Sequence, residues 1–419
     1  MRLGVMILGV LLVTSCAATD RLQVVVAPPT GDREHDRASV RDAFDRVQPG
    51  GTVQFSVGTY VIGGEPMELR TSDVTLRGDF GGTVLRGCGD AQLASMSEED
   101  YFGSCCGLAL SGGRQQVRAL TFEGFTASLT ILAPLESSAR SGLPNTEGGH
   151  VVEGNTFRNS TTVEVHVDAD AAVLIRGNTF RNTYHAVAIC GRNVHVLNND
   201  VAAPEPWQVP FGWPSIAIGV RPDPGVPCSG NRIEGNAIEG HTDAVILGVL
   251  PPDGPGAVCE GNIVRGNTVR VRPLVYPEFV GPPLAGQPLS GVPIRLLNLQ
   301  QAVLEGTVKL PIPPDSPPWP AAFSQSALRG NVIEGNYITG AIGVAIELIH
   351  ASDNQIANNR IEGTVKLAPE ELARLASAPP FGIGPGFWRT QPDAASANGR
   401  EVYSAPAKAS SAGTEDRRP

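Results

Sequence analysis

The chain has 419 residues, of which 49 are glycine and 35 are proline, so these two residue types make up about 20 % of the sequence. This composition excludes a helical bundle, and the glycines follow no every-third-residue rule, which excludes collagen. The formal net charge of −10, with no long Lys/Arg run, argues against nucleic acid and anionic membrane surfaces as partners.

The first twenty residues have the pattern of an export signal. Arg2 precedes an apolar run from Leu3 to Val13, which has the length of a signal-peptide core and is too short to span a bilayer. The run ends in Val13-Thr14-Ser15-Cys16, which resembles a bacterial lipobox. We therefore predict a signal peptide at 1–15, lipidation of Cys16 and a linker at 16–36. The mature protein would then be lipid-anchored in the bacterial cell envelope, facing the periplasm or the exterior. A plain secretory signal with an incidental cysteine is the alternative.

A short amphipathic helix is predicted next. Val40, Ala43, Phe44 and Val47 fall on one helical face. We interpret it as a cover for one end of the β structure that follows, because the unpaired strands at the end of a stacked β structure invite aggregation.

A six-residue pattern of the form Ile-x-Gly-Asn-x-Ile recurs along the chain. Its asparagines are Asn155, Asn178, Asn199, Asn236, Asn267, Asn336 and Asn359. The shortest separations are about 21–23 residues, one turn of a solenoid, and apolar residues alternate as in strands. We therefore predict three short strands per coil and one stacked column of asparagines, which tolerate left-handed backbone and bond to each other. The long gap between Asn267 and Asn336 predicts one degenerate coil near Leu299–Val308.

These units resemble the right-handed parallel β-helix repeat of the pectin-lyase-like superfamily, over residues 37–365. The segments Pro49-Gly50-Gly51-Thr52-Val53 and Val74-Thr75-Leu76-Arg77-Gly78 are similar to the first coils of pectate lyase-like proteins. The resemblance implies an all-β fold, a right-handed parallel β-helix with an N-terminal capping helix. The catalytic signatures do not carry over. The sequence lacks the Asn-Thr-Asp, Asp-Asp and Gly-His-Gly set of polygalacturonase-like enzymes and the Arg-x-Pro-x-x-Arg of pectate lyases.

Insertions interrupt the repeats and are predicted to wall a groove. One strand of the coil is preceded by insertions at residues 204–214 and 273–288. The same strand is followed, in other coils, by insertions at residues 135–149, 251–256 and 311–325. The insertions carry aromatic residues that can stack on sugar rings, or alternatively pack back on the coil: Trp207, Trp213, Tyr276 and Trp319. The remaining residues, 366–419, are predicted to form a C-terminal cap, with a short helix at Pro369–Ala376, and a disordered tail.

Strand alternation predicts which side chains line the floor of this groove. If Val163, Val165 and Val167 point inward, their neighbours point outward. The candidate catalytic residues are Glu164, His166, His185, Asp243, Arg295 and Glu347. A uronate lyase needs a cation and a base, which the histidines, Asp243 and Arg295 can supply. A glycosidase needs two carboxyl groups, from Glu164 with Asp168 or Asp170, or from Asp243 with Glu347. A solvated polar face without catalysis is the alternative.

Cysteine positions predict one disulfide. Cys228 and Cys259 each stand three residues before the first asparagine of their repeat, so stacking brings them within disulfide distance. Two free, stacked cysteines are the alternative. The sequence shows no cofactor motif and no structural zinc spacing. Ca²⁺ at Asp168 and Asp170 is left open.

Together these features predict a membrane-anchored extracytoplasmic β-helix lipoprotein that interacts with a polysaccharide or cell-surface glycan in a groove, with lyase or hydrolase activity left open. The alternative is a non-catalytic envelope scaffold that binds glycan or protein. Fold alone does not choose between them, because the same scaffold carries both.

Overall fold

A computed structural model describes residues 22–79, 81–88, 105–132, 145–168, 171–203, 215–222, 226–249, 257–271, 274–275, 288–289, 292–298, 327–341, 345–362 and 400–403. Within them the chain winds through nine complete coils, each adding one strand to each of three long sheets.

The elements of the first three coils are β1 (Gln23–Val25), α1 (Arg33–Arg46), β2 (Thr52–Gln54), β3 (Gly58–Val61), β4 (Met67–Leu69), β5 (Thr75–Arg77), β6 (Thr83–Arg86), β7 (Cys106–Leu110), β8 (Gln116–Arg118), β9 (Thr121–Glu123) and β10 (Ala127–Leu132). Coils four to six contain β11 (Asn145–Glu153), β12 (Thr156–Arg158), β13 (Val163–Asp168), β14 (Ala171–Arg176), β15 (Thr179–Arg181), β16 (His185–Cys190), β17 (Val194–Leu197), β18 (Asp200–Ala202) and β19 (Ile216–Arg221). The remaining elements are β20 (Cys228–Ser229), β21 (Arg232–Glu234), β22 (Ala237–Glu239), β23 (Asp243–Val249), β24 (Val258–Glu260), β25 (Ile263–Arg265), β26 (Thr268–Arg270), β27 (Leu274–Val275), β28 (Pro288–Leu289), β29 (Ile294–Asn298), β30 (Ala327–Arg329), β31 (Val332–Glu334), β32 (Tyr337–Thr339), β33 (Ile346–Ile349), β34 (Gln355–Ala357), β35 (Arg360–Glu362) and β36 (Arg400–Tyr403).

Three parallel sheets run the length of this solenoid. Sheet A has the order β1-β2-β5-β8-β11-β14-β17-β21-β25-β31-β34, and sheet B has β3-β6-β9-β12-β15-β18-β22-β26-β32-β35. Sheet C is β4-β7-β10-β13-β16-β19-β23-β29-β33, with β36 added antiparallel to β33. A small parallel sheet, β20-β24-β30, and an antiparallel pair, β27-β28, complete the topology. The predicted all-β parallel β-helix is therefore confirmed.

The interior is built from columns of side chains that repeat from coil to coil. On sheet B the rings of Phe122, Phe157 and Phe180 stack with centroids 4.8 and 5.0 Å apart. On sheet C, Val165 and Val167 are fully buried, as the alternation predicted. Equivalent residues meet at each level because parallel pairing holds the register, so the core is continuous along the axis.

The asparagine column is present as predicted. Each amide Nδ2 donates to the Oδ1 of the next asparagine at 2.8–3.1 Å, through Asn155, Asn178, Asn199, Asn236, Asn267, Asn336 and Asn359. A second column, which the sequence analysis missed, links Asn231, Asn262, Asn331 and Asn354.

Two details of the asparagine column differ from the prediction. Asn267 bonds directly to Asn336 at 3.0 Å, so no coil intervenes between them and the predicted degenerate coil at 299–308 is wrong. The left-handed residue of each turn is also the one before the column asparagine, for example Gly154 at φ 63° and Asn198 at φ 53°. Glycine tolerates this conformation without a Cβ clash, which explains the Gly-Asn pair.

Helix α1 covers the N-terminal end of the solenoid, as predicted. Its face of Val40, Ala43, Phe44 and Val47 is buried. The fully buried Asp36 carboxylate holds the helix in place, because it accepts hydrogen bonds from the Thr30 and Val61 backbone N–H groups at 2.8 and 2.9 Å. Strand β1 and the start of α1 lie in the segment 16–36 that the sequence assigned to a linker, so the ordered fold begins earlier.

Two disulfides link neighbouring segments. Cys228 and Cys259 are paired across β20 and β24 with their Cα atoms 4.4 Å apart, as predicted. Cys88 and Cys105 form a second bridge, with a Cα separation of 6.0 Å, which the sequence did not specify.

Cys16 and the proposed helix at 369–376 lie outside the described residues, and the tail contributes β36. Among the described residues, α1 is the one α-helix and falls short of the length and apolarity needed to cross a membrane.

Candidate functional site

The chain insertions connect to both ends of the strands of sheet C. Residues 204–214 connect to the start of β19, and 272–287 lie before β29. Residues 133–144, 250–256 and 299–326 follow β10, β23 and β29. The groove walls themselves lie outside the described residues and stay a prediction. The predicted sugar-binding aromatic residues lie outside the described residues: Trp207, Trp213, Tyr276 and Trp319.

The outer face of sheet C is accessible in coils three to six. One outward column there is partly exposed and consists of Thr130, His166, Ala188 and Gly219, which we call the open strip. The outer faces of sheets A and B differ, because they carry ion pairs between neighbouring coils, such as Arg176 with Glu153 at 2.7 Å. The open strip thus offers small and polar side chains, among them the His166 imidazole, without ion pairs between coils such as those on sheets A and B.

His185 lies beside the open strip at the start of β16. Its ring stacks on that of Tyr184, with centroids 5.0 Å apart and planes 8° from parallel. His185 and Asp243 share one column, but Ile216 stands between them, which sets their strands about 10 Å apart. His166 is four strands from Arg295, about 19 Å. The predicted lyase set is therefore spread along the axis rather than gathered at one point.

Asp243, Arg295 and Glu347 do come together, and we call them the buried charge cluster. Arg295 Nε lies 2.8 Å from Glu347 Oε2, and Arg295 Nη1 lies 3.4 Å from Asp243 Oδ1. Asp243 Oδ1 also accepts a hydrogen bond from the Val292 N–H at 3.2 Å. All three side chains are at most 8 % exposed, so the prediction that they line an open floor is wrong. Every residue of β23 and β29 is buried, which shows that both faces of sheet C are covered there.

Burial and ion pairing act in opposite directions on the cluster. Burial raises the pKa of Asp243 to about 6, although Arg295 and the Val292 hydrogen bond lower it. Burial lowers the pKa of Arg295, but the attraction of Asp243 and Glu347 outweighs this effect and the net pKa is raised. Asp243 can therefore exchange a proton near neutral pH.

Glu164 is not on the outer face, which corrects its predicted position. Its side chain is fully buried and accepts hydrogen bonds from the Ser128 hydroxyl and, at 3.2 Å, from the Ser160 N–H. The turn before β13 is one residue longer than the next: four positions separate Asn159 from Val163, and three separate Asn182 from His185. The extra residue stays within the turn, because Val163 pairs in register with Ala127 and His185. The level of Glu164 is also buried in the two neighbouring coils, as Ser128 and Ala186, so the simple alternation fails at this position whatever the length of the turn. Residues at the same level in later coils, Ala186, Ala217 and Ala244, belong to the core.

Two features beside the strip were not predicted from the sequence: the burial of His241 and a hydrogen bond between Arg221 and Cys190. His241 is 1 % exposed, and neither ring nitrogen has a hydrogen-bond partner among the described residues. Burial, with the nearby charge of His185, lowers the His241 pKa to about 3. Arg221 donates from Nε to the Cys190 thiol at 3.1 Å. The equivalence of Cys190 and Arg221 in successive coils was the signal that could have revealed this hydrogen bond.

The described side chains form no candidate site for a metal ion. Among them, no group of three or more His, Cys, Asp or Glu residues is arranged to hold a metal. Asp170 and the side chain of Asp168 lie outside the described part of the chain, so Ca²⁺ there stays a prediction.

Comparison with known proteins supports the fold. No protein-family model matches the sequence, and no curated protein matches it significantly. Among solved structures, endo-xylogalacturonan hydrolase from Aspergillus tubingensis matches with a TM-score of 0.50 at 13 % identity, covering 81 % of this chain and 93 % of that chain.

Two further structures match with lower scores. An alginate lyase from Paenibacillus sp. str. FPU-7 matches at 0.42 and 12 % identity, covering 82 % and 99 % of the two chains. A mutant tailspike protein of E. coli bacteriophage HK620 matches with a TM-score of 0.46 at 13 % identity, covering 81 % of this chain and 61 % of that chain. Together with the observed sheet topology, the match to the xylogalacturonan hydrolase shows that this chain has a right-handed parallel β-helix fold.

Proposed function

We propose that this protein is a lipid-anchored component of the bacterial envelope that binds a polysaccharide along the outer face of sheet C. The observation that carries the proposal is the contrast between faces. Sheets A and B carry ion pairs between coils, whereas the open strip carries small side chains and the His166 imidazole, and its strands connect to the chain's long insertions. Hydroxyl-rich ligands suit such a floor, because imidazoles donate and accept hydrogen bonds.

The buried charge cluster favours binding over catalysis as the primary role. Its arginine is neutralised by two carboxylates and all three groups are shielded, so they do not present a free cation to a sugar acid. Of the predicted catalytic residues, His166 and His185 are partly exposed. We therefore assign these two side chains to contact with the glycan.

A panel of acidic and neutral polysaccharides tests the proposal by affinity electrophoresis. The double variant His166→Ala, His185→Ala is expected to weaken binding about tenfold through the loss of two hydrogen-bonding rings. The matched control is His195→Ala on the outer face of sheet A, which should bind as the wild type does. Equal binding by both variants, or no binding to any glycan, would refute the proposal.

Catalysis is the second candidate, favoured by one observation. Asp243 and Glu347 both contact Arg295, which brings two carboxyl groups together as hydrolysis of a glycosidic bond requires, and burial raises the pKa of Asp243. Reducing ends and the absorbance of unsaturated uronates report hydrolysis and lyase activity on the same panel. If catalysis occurs at the cluster, Asp243→Asn removes product formation and leaves glycan binding intact.

A further inference from the structure

The outward column that contains the open strip is covered at both ends of the strip. From coil two to coil eight its members are Ala109, Thr130, His166, Ala188, Gly219, Ile246 and Arg295. The open strip is partly exposed, whereas the residues before and after it are buried. Ala109 is 3 % exposed and Ile246 is 8 % exposed. Along the axis, the open strip is therefore a bounded patch.

Whole stretches of strand, and not single residues, are covered on either side of the strip. In β7 the residues from Gly107 to Leu110 are all buried. Every residue of β23 and β29 is buried as well. Because successive side chains of a strand point to opposite faces, both faces of sheet C are covered at coil two and again at coils seven and eight. The protein surface therefore rises above the strip at each of its ends.

Buried residues also border the strip along the direction of its strands. In the column at the strand starts, Val163 and Ile216 are buried, and His185 between them is partly exposed. At the end of β16, Cys190 is buried and its thiol accepts the hydrogen bond from Arg221. The exposed part of sheet C is therefore limited in both directions.

The distance between the covered strands limits what the open strip can hold. Its four strands, β10, β13, β16 and β19, span three spacings of about 4.8 Å, or about 14 Å. A short oligosaccharide fits within this length, whereas a long chain lying along the axis runs into the covered coils. A long chain that rises away from the sheet places only its end on the strip. From these observations we infer that the open strip binds the terminal sugar units of a glycan and does not bind the interior of a long chain.

The polar side chains at the strip suit the chemistry of a chain end. A terminal sugar unit keeps a free hydroxyl group at the position where an interior unit forms its next glycosidic bond. His166 in the strip and His185 beside it are partly exposed, and an imidazole can donate a hydrogen bond to such a group or accept one from it. The inference rests on the proposed function, because both place the glycan on the open strip.

Counting binding sites on glycans of different length tests end recognition in the wild-type protein. Polygalacturonate, alginate, xylan and dextran are each titrated by calorimetry, intact and after partial hydrolysis to oligosaccharides. For a glycan that binds, hydrolysis that doubles the number of chain ends should double the number of binding sites per unit mass. A site number per unit mass that does not rise on hydrolysis shows binding to the chain interior, which overturns this inference and leaves the proposed function standing. The absence of binding to all four glycans, intact and hydrolysed, overturns both.

The variant Gly219→Val tests whether the chain end lies on the strip. Apart from its chain neighbours, the nearest heavy atom to a Cβ added at Gly219 is Ile216 Cγ2 at 3.8 Å, and the φ of Gly219 lies outside the left-handed region, so the fold accommodates a side chain there. The added side chain covers the floor and should weaken binding of the hydrolysed and intact glycan alike by about tenfold. Ala202→Val, on the outer face of sheet B in the same coil, is the matched control and should bind as the wild type does. Equal affinity of the two variants overturns the inference, and if Gly219→Val does not fold, the site count of the wild type decides.

Discussion

Replacing Glu164 by glutamine tests whether a neutral carboxylic acid is built into the corner between sheets B and C. Burial raises the pKa of Glu164 from 4.5 to about 8, even though the hydrogen bonds from Ser128 and Ser160 lower it. The folded protein therefore holds this side chain protonated at neutral pH. Glutamine has the same shape, can accept the Ser160 N–H bond and does not titrate.

The size of the stability difference between the wild type and Glu164→Gln follows from the pKa values of Glu164 in the unfolded and folded chains. In the unfolded chain Glu164 ionises near pH 4.5, whereas in the folded chain it keeps its proton until about pH 8. Its stabilising contribution is fully present below the unfolded value and is lost as pH rises toward the folded value, at about 1.4 kcal/mol per pH unit. Glu164→Gln should therefore match the wild type near pH 4 and exceed it by about 4–5 kcal/mol above about pH 8.

Urea denaturation of both proteins across this pH range measures the difference. Glu153→Gln is the matched control, because Glu153 lies on the outer face between two arginines and is solvent-accessible. The free energy of unfolding of Glu153→Gln should not rise above that of the wild type as pH rises. A constant difference between wild type and Glu164→Gln from acid to alkaline pH would show that the carboxyl group does not retain its proton, and would refute the reasoning.

Three further predictions concern the elements that hold the coils together. Arg295→Gln leaves two buried carboxylates without their cation and should cost about 3–5 kcal/mol in urea denaturation, and an unchanged midpoint would contradict this. Cys228→Ser with Cys259→Ser should lower stability by about 3–4 kcal/mol, and reduction of the wild type should reproduce the loss in calorimetry. Asn236→Ala breaks bonds to two neighbouring coils and should cost about 2–3 kcal/mol, whereas Asn359→Ala, at the end of the column, should cost less; equal losses would show that the column does not act cooperatively.

The repeat pattern was sufficient to predict the solenoid, its capping helix and the asparagine column. These features depend on local rules repeated at each level, such as a left-handed Gly before a column Asn and apolar residues at every second strand position. The Cys228–Cys259 bridge followed from the same equivalence, because parallel stacking places repeated positions next to each other.

The candidate site needed the tertiary structure, because burial depends on what lies outside the repeat. Alternation correctly placed Val165 and Val167 in the core, but it fails at the start of the sheet C strands, where Ser128, Glu164 and Ala186 are all buried. Asp243, Arg295 and Glu347 belong to successive coils that long insertions separate in sequence, and the repeat did not reveal that their outer side is covered. The sequence by itself determined the fold and the register of its columns, since periodic packing is encoded locally. Which polar groups meet, and which of them reach solvent, was decided only when distant segments packed together.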